Sequence, residues 1–438
     1  MFGNIKYVLG EGSLGWRGLL WEKKMRPSER QPRSAIEAWQ HQKLCRLLRQ
    51  MVRIPNWCEL PASGRPPRPG DDIREWLAHF PVLTKETIRR AGARMLAPEH
   101  SDRNIEWCVT GGSTGEPLRV LKDFSTRVAT QAACLRGFRW QGVDPGDATV
   151  FVKGMGRISW LGKVRCRMQN FRLADPLNPD PADTAKIMKM IQDFSPRCLI
   201  GYPTYLLRLA EMAAGSGLHV PVIFSTGEML FPAQRRKLET VFSARVAEYY
   251  GSNEVSGIAF ECPRGHLHIT EEHVLLETVD DCGNPVWDQP GRILVTDLDN
   301  QVMPLIRYEL GDIGVLTREP CQCGRTLLVL KELQGRLQDY LQNARGNILP
   351  AMFFAELSRH LTSIRSYQLV QRTMDEILFR HVPNGPAAEE EAESIRAVIQ
   401  IHLGREMRVT SEVCQEIALS AGGKMRLVMG LPLKTLQN

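Results

Sequence analysis

Trp107-Cys108-Val109-Thr110-Gly111-Gly112-Ser113-Thr114-Gly115-Glu116-Pro117 is the stretch on which the reading of this chain turns. An apolar lead-in gives way to small and hydroxylated residues from Thr110 to Gly115, and the strand-like Leu118-Arg119-Val120-Leu121 follows. Such a turn can bring several backbone N–H groups and the hydroxyls of Thr110, Ser113 and Thr114 to one point. Its glycines let a charged ligand approach the backbone closely. Phosphate suits that arrangement best, and the alternative is an ordinary polar hairpin turn.

Outward from this loop the chain alternates between strand and helix. Segments 149–152, 198–202, 222–226 and 246–250 read as short apolar strands, and 182–194, 203–214 and 232–242 have helical period. Alternation at these lengths implies an α/β fold with a mostly parallel sheet flanked by helices. Ligands in such folds sit at the carboxyl ends of strands, where Ser225-Thr226-Gly227-Glu228 and Tyr250-Gly251-Ser252-Asn253-Glu254 fall. Residues 1–100 read as a helical lead-in broken by proline and glycine, with Thr84-Lys85-Glu86-Thr87 as a capped helix entry. Beyond Gly257 the pattern changes to strands and turns, at 273–279, 292–298 and 313–317. After Gly335-Arg336 come strands at 366–372, 376–381 and 407–413 and a helix at 389–403, a small α+β domain. The expected division is a large N-terminal domain of 1–335, with its nucleotide-binding core in 101–335, and a small domain of 336–438.

Composition narrows the function class. A chain of 438 residues is long enough for two or three domains, and 43% hydrophobic with 24% charged residues is the balance of a soluble globular protein. No apolar run approaches the roughly twenty residues of a transmembrane helix. The first twenty residues, interrupted by Lys6, Glu11 and Arg17, lack a signal-peptide pattern. Eleven scattered cysteines, an odd number, argue for a reducing cytoplasm and against a disulfide framework. The net charge of +7 is concentrated early, at residues such as Arg26, Arg30, Arg33, Arg46, Arg49 and Arg53. Acids and prolines interrupt them without an aromatic–basic motif, so a solvated helical face is expected rather than a nucleic-acid surface. Leu14-Gly15-Trp16-Arg17-Gly18-Leu19-Leu20-Trp21-Glu22-Lys23-Lys24 has the composition of an interfacial helix in weak peripheral membrane contact, although its glycines weaken the helix.

Taken together, the motifs resemble the adenylate-forming ligases, and within them the phenylacetate–CoA ligase family and its CapK-like, capsule-biosynthesis branch. The resemblance runs from Phe80-Pro81-Val82-Leu83-Thr84-Lys85 to Lys424. It implies a large α/β domain with a mobile C-terminal domain. It also implies attack of a substrate oxygen, usually a carboxylate, on the α-phosphate of ATP with release of pyrophosphate. Thr110, Gly111, Gly112, Ser113, Thr114 and Gly115 would form the phosphate loop. Tyr250 would lie against adenine with Gly227 and Glu228 at its edge, and Gly251, Ser252 and Asn253 would complete the segment. Glu254 would bind Mg²⁺, which takes oxygen ligands. In Arg307-Tyr308-Glu309-Leu310-Gly311-Asp312, Asp312 would accept hydrogen bonds from both ribose hydroxyls. The alternative there is an Arg/Asp pair capping a turn. In Gly335-Arg336-Leu337-Gln338-Asp339, Arg336 would contact the nucleotide and Asp339 would be the hinge pivot. Lys424, in Gly422-Gly423-Lys424, would bridge the attacking carboxylate and the α-phosphate. The sequence departs from the family at Asn253, usually threonine, and at Gln338, usually an acid.

Cys262-Pro-Arg-Gly-His266-Leu-His268 and Cys321-Gln-Cys323 offer three thiols and an imidazole. Cys₃His is a closed structural zinc set, free cysteines in adjacent loops being the alternative. Relatives point to His268 rather than His266 as the fourth ligand. Lys153 and Arg157 lie in a segment that approaches the substrate in relatives, where they would hold an acidic group or cover the surface. The expected activity is therefore acyl-adenylate formation from a small carboxylic acid, with CoA, a carrier thiol, an amine or a sugar as acceptor. Adenylylation of a phenol-type oxygen is the second reading, and a zinc-stabilised polyanion-binding protein is the third.

Overall fold

The computed structural model describes residues 7, 12–58, 67–68, 70–98, 104–109, 118–152, 160–176, 181–230, 232–336, 340–345, 347–350, 354, 361–418 and 426–431. The chain divides into two compact units. The larger comprises Met1–Leu230, Gln234–Leu310 and Val315–Glu332, and the smaller comprises Leu333–Asn438 with Phe231–Ala233 and Gly311–Gly314.

In the larger unit, β1 (Glu106–Val109) and β2 (Arg119–Lys122) pair antiparallel, with Val109 opposite Arg119. Five strands follow: β3 (Thr149–Val152), β4 (Phe171–Ala174), β5 (Cys198–Gly201), β6 (Val222–Ser225) and β7 (Arg245–Tyr250). They run parallel in the order β7-β6-β5-β3-β4. Every residue of β5 and β6 is buried, as happens when helices cover both faces of a parallel sheet. One covering helix, Pro203–Ala213, starts with proline in its first turn and buries Tyr205, Leu206, Leu209, Ala210 and Ala213 as one stripe. At Gly201 a β-carbon would stand 2.3 Å from the carbonyl oxygen of Val152, so only glycine lets β5 run this close to β3.

Beyond β7 the same sheet becomes antiparallel through β8 (Ala259–Glu261), β9 (Leu267–Ile269), β10 (Val274–Val279), β11 (Gly291–Asp297), β12 (Tyr308–Thr317) and β13 (Val329–Arg336). The order across its eleven described strands is β10-β11-β12-β13-β9-β8-β7-β6-β5-β3-β4. The helix Phe124–Trp140, which the sequence pattern does not announce, lies against it. It begins at Asp123, whose side chain accepts the Thr126 N–H at 2.8 Å, and buries Ala129, Ala132, Ala133 and Gly137. Small residues make its apolar stripe faint, and the helix also buries a charge, Arg136.

That charge belongs to a buried ionic seam. Glu271 and Glu272 are both wholly buried. Arg136 donates to Glu272, at 3.0 Å through one nitrogen, and Ser28 bonds the same carboxylate. Arg33 pairs with Glu271, and Lys43 reaches Asp299 at 2.6 Å. The early basic residues are thus not simply a solvated face: Arg33 is bound to a buried acid, and Arg26 to the buried Glu22.

The smaller unit contains a two-stranded sheet, β14 (Tyr340–Gln342) with β15 (Ile348–Pro350). It also contains β16 (Ile364–Thr373), β17 (Glu376–Pro383), β18 (Arg408–Val413) and β19 (Val428–Met429) in the order β18-β17-β16-β19. The helix Ala388–Leu403 buries Ala388, Ala392, Ile395, Ile399 and Leu403 in a core with Leu369 and Phe379. Its first turn carries Glu389, Glu390 and Glu391, the sign favoured at a helix N-terminus. This is a separate, smaller α+β domain. No described helix is long and apolar enough to cross a membrane.

Removing one partner of a buried ion pair leaves the other charge uncompensated, at a cost of about 3–5 kcal/mol. Arg136→Met is therefore expected to lower the thermal unfolding midpoint by several degrees. An unchanged midpoint would contradict the structural role of the seam.

Candidate active site

The parallel strands set the site's position. Because β3, β5, β6 and β7 are neighbours running the same way, their carboxyl ends lie at one edge of the sheet, where the segments that follow Gly201, Ser225 and Tyr250 emerge. Two of these segments carry Gly227-Glu228 and Gly251-Ser252-Asn253-Glu254.

After β6, Gly227 takes φ 77°, a left-handed conformation that favours glycine. Glu228 then turns toward the segment after β5. Its Oε2 accepts the Thr204 N–H at 3.0 Å and the Thr204 hydroxyl at 2.7 Å, in the first turn of the helix Pro203–Ala213. The anionic side chain thereby satisfies a free helix N–H and ties two site segments together.

After β7 the chain folds into a tight loop. Ser252 N–H donates to the Val255 carbonyl at 2.8 Å, and the Ser252 hydroxyl accepts the Val255 N–H at 3.0 Å. A β-carbon at Gly251 would stand 3.0 Å from the Gly257 nitrogen, so the turn leaves little room there. Asn253 is exposed, whereas Glu254 is 4% exposed. The Tyr308 hydroxyl donates to Glu254 Oε1 at 2.8 Å, and Lys85 Nζ lies 3.7 Å from the same oxygen. Burial alone would raise the pKa of this carboxyl. Lys85, a backbone amide and the Tyr308 and Ser252 hydroxyls outweigh it and hold Glu254 below the usual carboxylate range. The loop therefore presents an ionised carboxylate in a sheltered place.

A second buried cluster supports the loop. Lys122, at the end of β2, donates to the Asn253 carbonyl at 2.8 Å. His273 approaches the Ser256 carbonyl through Nε2 at 3.2 Å and Asp299 through Nδ1 at 2.8 Å. Burial raises Asp297, while Lys43 and His273 hold Asp299 low against its own burial. His273, Asp297 and Asp299 could also gather a cation, but Lys43 already supplies a positive charge to Asp299.

Arg307 and Asp312 do not form a pair. Arg307 is buried with φ 47°; it donates to Glu277 at 3.2 Å and to the carbonyls of Phe80 and Gly283 at 2.8 and 2.5 Å. Asp312 is half-buried on β12, just after Gly311, whose φ of 83° is left-handed. Arg336 ends β13. Thr110, Gly111, Gly112, Ser113, Thr114, Gly115, Asp339 and Lys424 lie outside the described residues, as do Lys153 and Arg157.

Cys262, His268, Cys321 and Cys323 converge, their ligand atoms all within 4.8 Å of one another. Cys262 and Cys321 sulfurs are 3.9 Å apart, and Cys323 Sγ is 3.2 Å from His268 Nε2. His268 Nδ1 faces the Leu327 carbonyl at 3.0 Å, an arrangement that puts the proton on Nδ1 and leaves Nε2 as a free lone pair. Burial pushes this imidazole down to about 4, against the pull of the Leu327 bond, so it is neutral near pH 7. The donors fit zinc: soft sulfurs with one neutral nitrogen and no carboxylate, Cys262 and His268 buried and Cys321 and Cys323 half-buried. His266 also nears Cys321, at 3.4 Å, but that contact is exposed.

Sequence reasoning assigned no site role to Tyr308, Lys85, Lys122 or His273. Tyr308 and Lys85 sit inside the motifs at 307–312 and 80–85, and Lys122 is a charge on an otherwise buried strand end. Only the fold reveals that they meet one loop.

Residues 341–430 match the CapK C-terminal domain family. A phenylacetate–coenzyme A ligase of Thermus thermophilus is 27% identical, the match covering 91% of this chain and 97% of that protein. One from Escherichia coli is 27% identical over 68% of this chain and 71% of its own. Among solved structures, a 2-hydroxyisobutyryl-CoA ligase in the postadenylation state superposes with a TM-score of 0.72 at 19% identity, covering 92% of this chain and 91% of that one. The same enzyme with an acyl-AMP and CoA in the thioesterification state gives 0.62 at 20% identity, covering 92% and 91%. The fold is that of the adenylate-forming ligases. Over most of its length the chain is similar to phenylacetate–coenzyme A ligases, and its C-terminal part is similar to the CapK C-terminal domain.

A hydrogen bond to a charged group contributes about 1.5–3 kcal/mol. Tyr308→Phe should therefore move the Glu254 pKa up toward the usual carboxylate range and lower the thermal unfolding midpoint by a few degrees. An unchanged midpoint would contradict the tyrosine's role in holding Glu254.

Proposed function

We propose that the protein is an ATP-dependent ligase that activates a small carboxylic acid as an acyl-adenylate, releases pyrophosphate, and transfers the acyl group to coenzyme A. The observation that carries this reading is Glu254, an ionised carboxylate sheltered in the loop after a parallel strand. It is supported by family relatives that align with most of the chain. In this scheme a carboxylate oxygen attacks the α-phosphorus as the bond to the bridging oxygen breaks and pyrophosphate leaves. The thiolate of coenzyme A then attacks the acyl carbon, and AMP departs. The names of the relatives favour an aryl acid as the first substrate to test. A carrier thiol, an amine or a sugar are the other acceptors, and the cytoplasm is the compartment that fits.

The amides and hydroxyls of Thr110 to Gly115 would neutralise the leaving pyrophosphate. Tyr250 would flank adenine, with Gly227, Glu228 and residues 251–253 around it; Asp312 would hold the ribose and Arg336 the nucleotide. Glu254 would hold Mg²⁺, which supplies positive charge to the phosphate oxygens. Lys424 would lower the repulsion between carboxylate and α-phosphate, and Asp339 would serve as the pivot of a moving C-terminal domain. Cys262, His268, Cys321 and Cys323 would bind zinc as a closed structural site joining the β8–β9 turn to the loop before β13.

The test is pyrophosphate release by purified protein with ATP and Mg²⁺ against separate aryl, fatty, amino and sugar acid pools. Release should depend on one pool and fall on the order of 10²–10³-fold in Lys424→Ala. Asp312→Ala should weaken ATP use severely, since ribose hydroxyls lose their acceptor. No release from any pool, or unchanged ATP affinity in Asp312→Ala, would contradict the scheme or the ribose assignment respectively. Wild-type protein should carry about one zinc per chain, and Cys321→Ser should lose zinc and thermal stability together. A zinc-free wild type would remove that site.

A further inference from the structure

The helix Ser13–Met25 takes no part in the site. Its buried residues, Gly15, Gly18, Glu22 and Met25, recur at three- and four-residue spacing and so form one face. This face packs on the helix Phe124–Trp140. A β-carbon at Gly18 would approach Gln131 Cγ to 2.8 Å. Glycines that weaken an isolated helix are therefore what allow this one to be clamped to the protein.

The clamp determines what faces outward. Trp16 and Leu20, one helical turn apart, are 55% and 51% exposed. Arg17, Lys23 and Lys24 are exposed beside them. Arg17 lies over the Phe124 ring and Lys24 over the Trp21 ring, contacts that leave both charges at the surface. Glu22, the helix's acid, is 1% exposed and is neutralised by Arg26 at 2.7 Å and Arg139 at 3.2 Å. The outward face thus combines two large apolar side chains with cations and no carboxylate of its own.

We propose that this face docks on an anionic lipid bilayer surface, with Trp16 and Leu20 entering the interfacial layer and Arg17, Lys23 and Lys24 among the headgroups. Tryptophan and leucine flanked by basic residues on a helix lying in the membrane plane match that environment. A second copy of the chain fits less well, because a two-fold contact would set these cations against their own counterparts. A soluble polyanion would use the cations but leave Trp16 and Leu20 without a role.

The test is co-sedimentation of the full-length protein with vesicles of phosphatidylcholine alone and of phosphatidylcholine mixed with phosphatidylglycerol. Binding is expected only to the mixed vesicles, weakening with added salt. Trp16→Ser combined with Leu20→Ser should weaken it about tenfold or more. Lys23→Gln with Lys24→Gln should weaken it roughly fivefold per cation removed at low salt. Both double variants should keep the wild-type thermal unfolding midpoint, since the altered side chains are exposed. Absence of vesicle binding, equal binding to both vesicle types, or variants that bind like wild type would overturn the proposal. So would a wild-type dimer that sedimentation velocity shows dissociating in the Trp16/Leu20 variant without any vesicle binding.

Discussion

Two adjacent carboxylates, Glu271 and Glu272, are wholly buried, and the arrangement of the larger unit depends on how they are neutralised. An uncompensated buried charge is too costly to keep, so each acid must draw a cation from elsewhere in the chain. Glu271 takes Arg33, and Glu272 takes Arg136. One cation comes from the helical lead-in and the other from the helix Phe124–Trp140, so the same seam fixes both to the antiparallel half of the sheet. Lys43 and Asp299 extend it toward His273, which meets the loop carrying Glu254. Scaffold and site are thus joined by one buried electrostatic network.

The strands at 149–152, 198–202, 222–226 and 246–250 and the helices between 182 and 242 were legible because parallel strands are apolar throughout and their covering helices keep a clear stripe, whereas the helix Trp160–Met168 and the half-buried β4 were not. The zinc-type cluster was legible as a set of ligands, since three cysteines and a histidine in two short segments supply a complete tetrahedral donor set. The helix Phe124–Trp140 was not, because alanine, glycine and a buried arginine replace the usual large apolar residues. Basic residues before residue 100 misled in a related way: sequence alone does not distinguish a solvated arginine from one paired with a buried acid 238 positions away, as Arg33 is with Glu271.

At the site, residue identity was easier to read than partnership. Glu254 stood out at the end of a strand, but the Tyr308 hydroxyl and Lys85 that keep it ionised come from distant segments. Arg307 illustrates the opposite error. A motif places it near Asp312, yet its guanidinium is spent on Glu277 and on main-chain carbonyls, so its work is to shape the chain. Glu228 likewise both borders the expected adenine site and caps a helix through Thr204.

The reaction proposed for the site is activation of a carboxylic acid as an acyl-adenylate. Mass spectrometry of single-turnover reactions with ATP, Mg²⁺ and the preferred acid tests it most directly, with coenzyme A withheld and then added. The expected result is an enzyme-bound acyl-adenylate that converts to an acyl-CoA and free AMP on addition of the thiol. Formation of ADP, or of an AMP-substituted product that persists when coenzyme A is added, would contradict it.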